Sequence, residues 1–462
     1  MAAHSLEPGQ AIGGFVLETL LHTGSMATLW QVSGAGTSVP MVMKIPLLRH
    51  GESPATIVGF EVERSILPRL SGVHVPRFIA AGDFDQPYIV MERIPGLSLK
   101  SRLQILPLPY DEVATIGAKV ATALHDLHRQ GAIHLDLKPS NILLRQTGQA
   151  VLIDFGLSHH NQLPDLLAEE FQVPVGTGAY ISPEQLMGIR SDPRSDLFAL
   201  GVMLYFFGTA ERPFGDPVRL REWRRRLYRQ ALPPRALRED FPPWLQEVVL
   251  RCLEVDPSER HPTAAQLAFD LRHPEQIALT SRAMRRKPEK VVQPLRRWLG
   301  MMRSAPIGAR PLPPPKAPIV MAAVDLSAEA EPLGDALRLA IGRILRTEPA
   351  ARLACVNVLK MSRLRLDDFE DPQGRNLHLQ RLAQLKRWAH SLPLPADAVT
   401  YHVFESPDTA GALIDYASAN HVDHIIIGAR SSSTLRRYLG SVSSRVVAEA
   451  PCTVTVVRVR DG

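Results

Sequence analysis

Cysteine is scarce in this chain: Cys252, Cys355 and Cys452 are the only three in 462 residues, far apart and without ligand-like spacing. That argues against a disulfide framework or a cysteine-based zinc site, and a reducing compartment is the simplest setting. Long apolar runs are also missing. The most apolar stretch, residues 197–209, is too short to cross a bilayer and reads as a buried helix. The N-terminal MAAHSLEPGQ lacks the charged-then-apolar order of a secretory signal. A soluble, cytoplasmic protein is therefore expected. No repeat at periods of about 20–50 residues points to a solenoid.

Acidic side chains are nearly absent from one segment. Between Arg282 and Lys316, ten lysines and arginines face a single acid, Glu289. Of the formal net charge of +6, this segment carries +9, leaving the rest of the chain slightly acidic. Seven prolines from Pro288 onward resist both helix and sheet. Residues 274–316 are accordingly read as a basic, extended linker. The positive charge belongs to that linker, so no nucleic-acid-binding domain is expected. Leu295, Trp298 and Leu299 would let the patch touch anionic membrane, but Pro294 and Gly300 limit any amphipathic helix. A solvated linker is the expectation.

Either side of the linker, the hydrophobic period separates the chain into parts. Residues 10–94 read as short strands with one helix, the helix showing apolar positions at Phe60, Ile66, Leu67 and Leu70. Residues 95–273 are mainly helical, interrupted by the short apolar runs NILLR and AVLIDFG. From 317 to 460, five strand-like runs (IVMAAVD, LACVNVL, VTYHVF, DHIIIG, TVTVVRV) alternate with amphipathic stretches. That rhythm predicts a doubly wound parallel sheet.

The chemistry concentrates in the larger N-terminal part. Phosphoryl transfer needs metal ligands, a cation on the phosphates, and a carboxylate that orients a hydroxyl and accepts its proton. Residues 134–141, HLDLKPSN, supply such groups at tight spacing, and Asp154-Phe155-Gly156 follows at the end of a strand. Asp-Phe-Gly alone would be an ordinary turn after a strand; the ordered pair of motifs is far more specific. Residues 10–273 thus resemble the eukaryotic-like serine/threonine protein kinases.

The resemblance implies a two-lobed α+β fold that uses ATP and magnesium, with manganese as a substitute, on a protein substrate. It makes Asp136 the catalytic base, puts Lys138 on the γ-phosphate, and gives Asn141 and Asp154 to the metal. Upstream it places Gly24, Leu29 and Lys44 around ATP, Glu63 as the partner of Lys44, Met91 as gatekeeper, and Glu92 to Ile94 as the hinge meeting adenine. Downstream, Thr177 and Glu184 end the activation segment, Arg260 pairs with Glu184, and Asp196 braces the catalytic loop. Lys138 and Thr177 together favour serine or threonine over tyrosine. Six arginines in residues 219–230 read as a solvated face, with a dock for acidic substrates as the alternative.

Two departures stand out. Only Gly24 survives from the glycine-rich loop, His22 and Ala27 taking the other two places. Leu135 replaces the arginine that in the family holds a phosphorylated activation-loop residue. From residue 157 to 176 the sole hydroxyl is Ser158, so no activation-loop phosphoswitch is expected. A catalytically silent pseudokinase is the alternative reading, opposed by the survival of every catalytic group.

Residues 317–460 resemble the universal stress protein family, carried by IVMAAVDLS with Asp325, by TAGALIDYASANHVDHIIIG, and by GARSSSTLRRYLGSVSS. The resemblance implies a Rossmann-like α/β domain of five parallel strands. ATP-binding members use a glycine-rich turn. Gly428, Gly440 and Ser441 fit its ends, while Ser431 replaces the inner glycine and the span is one residue short. Asp325, Gly428, Gly440 and Ser441 therefore form a candidate second nucleotide site. The final strand, as a sheet edge, suggests a homodimer.

Overall fold

The computed structural model describes residues 6–459 apart from 25–26, 35, 37–38, 48–53, 83–85, 172–173, 218, 288–317, 328–330, 349–350, 361–376, 393, 396–397 and 430–439. Most of the expected linker and Ser431 lie outside the described residues.

An antiparallel sheet opens the chain, in the order β1 (Ala11–Ile12), β2 (Phe15–Thr23), β3 (Ala27–Gly34), β4 (Met41–Pro46), β6 (Ile89–Glu92), β5 (Phe78–Ala81). Period-two patterning is clear in β3 and β4, whose inward Trp30, Val32, Met41 and Met43 are buried with Val90. Helix α1 (Pro54–Ile66) lies between β4 and β5 and buries Val58, Phe60, Val62 and Ile66 in the main core.

The larger lobe is built on two helices. Helix α2 (Tyr110–Arg129) carries Asp111 and Glu112 in its first turn and His128 and Arg129 in its last, matching the helix dipole. Its buried stripe includes Val113, Val120, Leu124 and Leu127. Further on come the paired strands β7 (Ala132–Ile133) and β10 (His159–His160), and β8 (Ile142–Leu144) with β9 (Ala150–Leu152). The two-residue β7–β10 pair, too short to show a period, was not expected from sequence. The activation segment contains helix α3 (Leu166–Glu170), and α4 (Pro183–Leu186) follows with a Ser182/Gln185 capping box. Helix α5 (Arg194–Thr209) contains the apolar run at 197–209. Nearly every residue of it is buried, as befits a helix apolar on all sides. No helix among the described residues is long and apolar enough to cross a membrane.

The lobe reaches beyond residue 273, where the linker was expected to begin. A short helix, Ser281–Met284, packs on helix Pro243–Cys252. The cause is Glu247, only 3% exposed. Its carboxylate accepts from the amide N–H and hydroxyl of Thr280, from the Ala283 N–H, and from Arg282. A buried carboxylate without these partners would be costly, so Arg282 belongs to the folded lobe.

The C-terminal sheet is fully parallel, in the order β13 (Val399–Ser406), β12 (Arg352–Lys360), β11 (Ile319–Ala323), β14 (His424–Gly428), β15 (Thr453–Val457). Helices cover both faces. Val320 and Ala322 pack with Leu337 and Leu385 on one side, and Met321 packs with Leu413, Ala417 and Val446 on the other. Every residue of the central strand is buried, which explains its unbroken hydrophobic run. All five strands read from the sequence are present.

Candidate active site

The catalytic loop owes its shape to a buried carboxylate. Asp196, at the start of α5, accepts the His134 N–H at 2.9 Å, the Leu135 N–H at 2.8 Å and a hydrogen bond from His128 at 2.8 Å. Burial alone would raise its pKa, but these donors outweigh burial and hold it low. Leu135 adopts a left-handed backbone, φ 61°. For a non-glycine residue that is strained, and its two peptide hydrogen bonds hold it there: N–H to Asp196 and C=O from Gln185 at 2.8 Å. Its side chain is buried.

That scaffold presents Asp136. Its Oδ1 accepts from the Thr177 hydroxyl at 2.7 Å and the Thr177 N–H at 3.2 Å, and its Oδ2 lies 2.6 Å from Lys138 Nζ. Lys138 also donates to Thr177 Oγ1 at 3.1 Å. The Asn141 amide nitrogen is tied back to the Asp136 carbonyl at 3.0 Å, which orients its oxygen away from the backbone. Asp136, Lys138, Asn141 and Thr177 thus form one hydrogen-bonded constellation.

The second constellation spans the lobes. Lys44, on β4, contacts Glu63 of α1 at 2.5 Å and Asp154 at 2.9 Å. Burial would lower the Lys44 pKa, but the two carboxylates outweigh it and push it up; Lys44 in turn pulls Asp154 down. Glu63 also accepts the Phe155 N–H at 3.3 Å, and Phe155 is buried with its ring 5.4 Å from that of His134. Gly59 and Gly156 allow the backbones of α1 and this motif to meet. A Cβ on Gly59 would lie 3.1 Å from the Gly156 carbonyl, and one on Gly156 would lie 3.3 Å from that of Gly59.

A divalent cation fits this donor set. No cluster of three or more His, Cys, Asp or Glu that could hold a metal occurs among the described residues. One carboxylate, one amide oxygen and nucleotide phosphates are instead the pattern suited to magnesium. Asp154 remains 45% exposed despite its lysine, so its carboxylate is open to such a ligand.

The remaining sequence candidates are distributed around these groups. Met91 is buried in β6 and pairs with Val42, and Ile94 is buried just beyond it. The Glu92 side chain makes a bidentate pair with Arg145, 2.6 and 3.0 Å, tying the end of β6 to the β8–β9 turn. Gly24 closes the β2–β3 turn by donating to Ala27 O at 2.9 Å, and Leu29 lies opposite Lys44 in the β3–β4 ladder. Glu184 and Arg260 form a buried bidentate pair, 2.7 and 2.8 Å, which Ser195 completes at 2.6 Å.

Some partners were not legible beforehand. Arg226, one of the six arginines read as a solvated face, is 1% exposed. It donates to the carbonyls of Gly178 and Ile181, fixing the segment that follows Thr177. Burial lowers its pKa to about 10. The other five arginines of that run are exposed. Arg190 reaches back to Asp165 at 2.9 Å and to the Leu157 carbonyl at 2.9 Å, anchoring the start of the activation segment.

Ser158 is buried, and its hydroxyl donates to the His134 carbonyl at 3.1 Å. That hydroxyl ties the segment after Asp-Phe-Gly to the loop at His134. Substituting Ser158→Ala should cost about 1 kcal/mol of stability and leave autophosphorylation within a few-fold of wild type. A near-total loss in a phosphate-incorporation assay would contradict that placement.

In the C-terminal domain, Asp325, Gly428, Gly440 and Ser441 line one cavity of about 410 Å³, together with Asn357 and Thr409. Gly440 caps helix Ser441–Glu449.

Comparison with known proteins places two families along the chain. Residues 15–271 match the protein kinase domain model and residues 318–458 the universal stress protein family model. The kinase match covers over half of the chain, which therefore belongs to the protein kinase family and carries a universal stress protein domain. It is 33% identical over 214 residues to a probable serine/threonine-protein kinase of Clostridium perfringens, covering 46% of this chain and 31% of that protein. It is 30% identical over 268 residues to the serine/threonine-protein kinase PksC of Streptomyces coelicolor, covering 55% and 48%. Similarity to PknL of Mycobacterium bovis is 28% over 259 residues, covering 56% and 64%. The chain thus spans between about a third and two thirds of the length of these relatives. The solved kinase domain of Mycobacterium tuberculosis PknI aligns at 23% identity with a TM-score of 0.47, covering 58% of this chain and 100% of that domain.

Proposed function

We propose that the chain is an active, ATP-dependent serine/threonine protein kinase. The observation that carries this reading is the simultaneous assembly of Lys44–Glu63–Asp154 and Asp136–Lys138–Thr177–Asn141. In the proposed reaction, Asp136 orients the substrate hydroxyl and takes its proton as the oxygen bonds to the γ-phosphorus. The bond from that phosphorus to the β,γ-bridging oxygen breaks, and ADP leaves. Lys44 stabilises the phosphates of the nucleotide, and Lys138 the transferred group. Asn141 and Asp154 would hold magnesium, whose charge offsets that of the phosphates. Incubating the chain with magnesium and ATP and mapping the products by mass spectrometry should show phosphoserine or phosphothreonine. Phosphotyrosine alone, or an unmodified chain that binds nucleotide, would reject the assignment, the latter in favour of a pseudokinase.

Leu135 supports a further reading, that this kinase is of the class lacking the catalytic-loop arginine and works without an activation-loop phosphate. The C-terminal domain supports a cytoplasmic role in stress signalling. Its cavity gathers Asp325, Gly428, Gly440 and Ser441 beside a helix N-terminus, a setting suited to phosphate. ATP titration of the full chain should then reveal two sites; a single site would remove that proposal. Strand β15 lies at the sheet edge and favours a homodimer. Light scattering should give twice the 51.1 kDa chain mass, and the monomer mass would reject it.

A further inference from the structure

The catalytic groups leave the acidic end of α3 unexplained. Glu169 and Glu170 have side chains only 9% and 8% exposed. Their partners come from the C-terminal domain. Arg352, at the start of β12, is 2.5 Å from Glu169. His402, on edge strand β13 and fully buried, lies 3.1 Å from Glu169 through Nε2 and 3.0 Å from Glu170 through Nδ1. The Tyr416 hydroxyl donates to Glu169 at 3.2 Å, and the Asn420 amide to the Glu169 carbonyl at 3.4 Å.

The Nδ1 hydrogen-bonds Glu170, while Nε2 lies between the Glu169 carboxylate and the Thr400 hydroxyl at 3.0 Å; a carboxylate near each ring nitrogen suits an imidazolium. Burial would lower the His402 pKa, but the two carboxylates outweigh it and raise it to about 9. Two anions of the activation segment thus meet two cations of the C-terminal domain.

A second contact lies on α1. Lys386, nearly buried in helix Leu377–Ala389, is 2.8 Å from Glu61. Glu61 is two residues from Glu63, so the helix turns one carboxylate to Lys44 and the other to the C-terminal domain. Between these contacts remains a cavity of about 290 Å³ lined by Glu61, Arg64, Glu170, Lys386 and Tyr401. The junction is polar and incompletely filled, as in domain contacts that form and release.

We propose that the C-terminal domain is a clamp in cis, holding α1 and the activation segment in the arrangement that transfers phosphate. The Glu169–Glu170 pair bound to Arg352 and His402 provides the tether that Leu135 cannot supply to a phosphorylated residue. This rests on the kinase reading above and names its regulation: whatever shifts the C-terminal domain also shifts Glu63 and the activation segment.

A charge swap in the full chain tests it. Glu61→Lys and Lys386→Glu, each alone, should slow autophosphorylation roughly tenfold. Each should also raise amide hydrogen exchange in residues 54–66 and 157–171. Combining the two should restore both properties. Glu170→Gln, which keeps the side-chain shape, is the milder variant should a charge reversal fail to fold, and should raise exchange in 157–171. Wild-type rates and exchange in the single variants would overturn the clamp. Faster phosphorylation would overturn it too, as would a swap that restores neither property. Should the wild type transfer no phosphate, the kinase reading falls, while exchange still decides whether the clamp exists.

Discussion

Replacing Lys44 by methionine should lower the phosphotransfer rate about 10²–10³-fold, the usual cost of removing one preorganised charge from a transition-state clamp. Lys44 lies between Glu63 and Asp154, at 2.5 and 2.9 Å. Without it, two carboxylates face each other across the lobes, and the nucleotide phosphates lose the cation that β4 presents to them. The Asp136 constellation does not depend on Lys44, since its partners are Lys138, Thr177 and Asn141. The variant should therefore keep a folded large lobe while losing catalysis. A steady-state rate within a few-fold of wild type would show that another cation does this work.

Arg260→Ala should be the most destabilising change in the large lobe. The pair with Glu184 is buried on both sides, the side chains being 0% and 2% exposed. Arg260 also donates to the carbonyls of Arg194, Glu254 and Val255. Removing one partner of such a pair costs about 3–5 kcal/mol, because the remaining charge stays buried. Urea titration should show a lower midpoint for this variant. An unchanged midpoint would mean that water or another cation reaches Glu184 in its place.

How much of this could be read in advance follows from the range of the interactions. The catalytic loop and Asp-Phe-Gly are local motifs, and the carboxylates and amide they need lie within a few residues. Strands of the C-terminal sheet were equally plain, because burial on both faces makes continuous apolar runs. The family resemblance singled out Glu63, and the structure pairs it with Lys44. What escaped depends on distant partners. Nothing in an arginine-rich run marks Arg226 as the buried member, since its acceptors are the carbonyls of Gly178 and Ile181. Arg282 looked like linker until Glu247 supplied a buried carboxylate for it. The acidic pair at 169–170, in a segment with one hydroxyl, was a visible signal, but its meaning required Arg352 and His402 from the other domain.

The central claim is that Asp136 serves a working phosphotransfer centre despite the reduced glycine loop and the leucine at 135. Incubating the full chain with γ-labelled ATP and magnesium, beside an Asp136→Ala variant, tests it most directly. The account predicts label in wild-type protein that is lost in the variant, with nucleotide binding retained in both. Unlabelled wild-type protein, or a variant labelled as strongly as wild type, would contradict it.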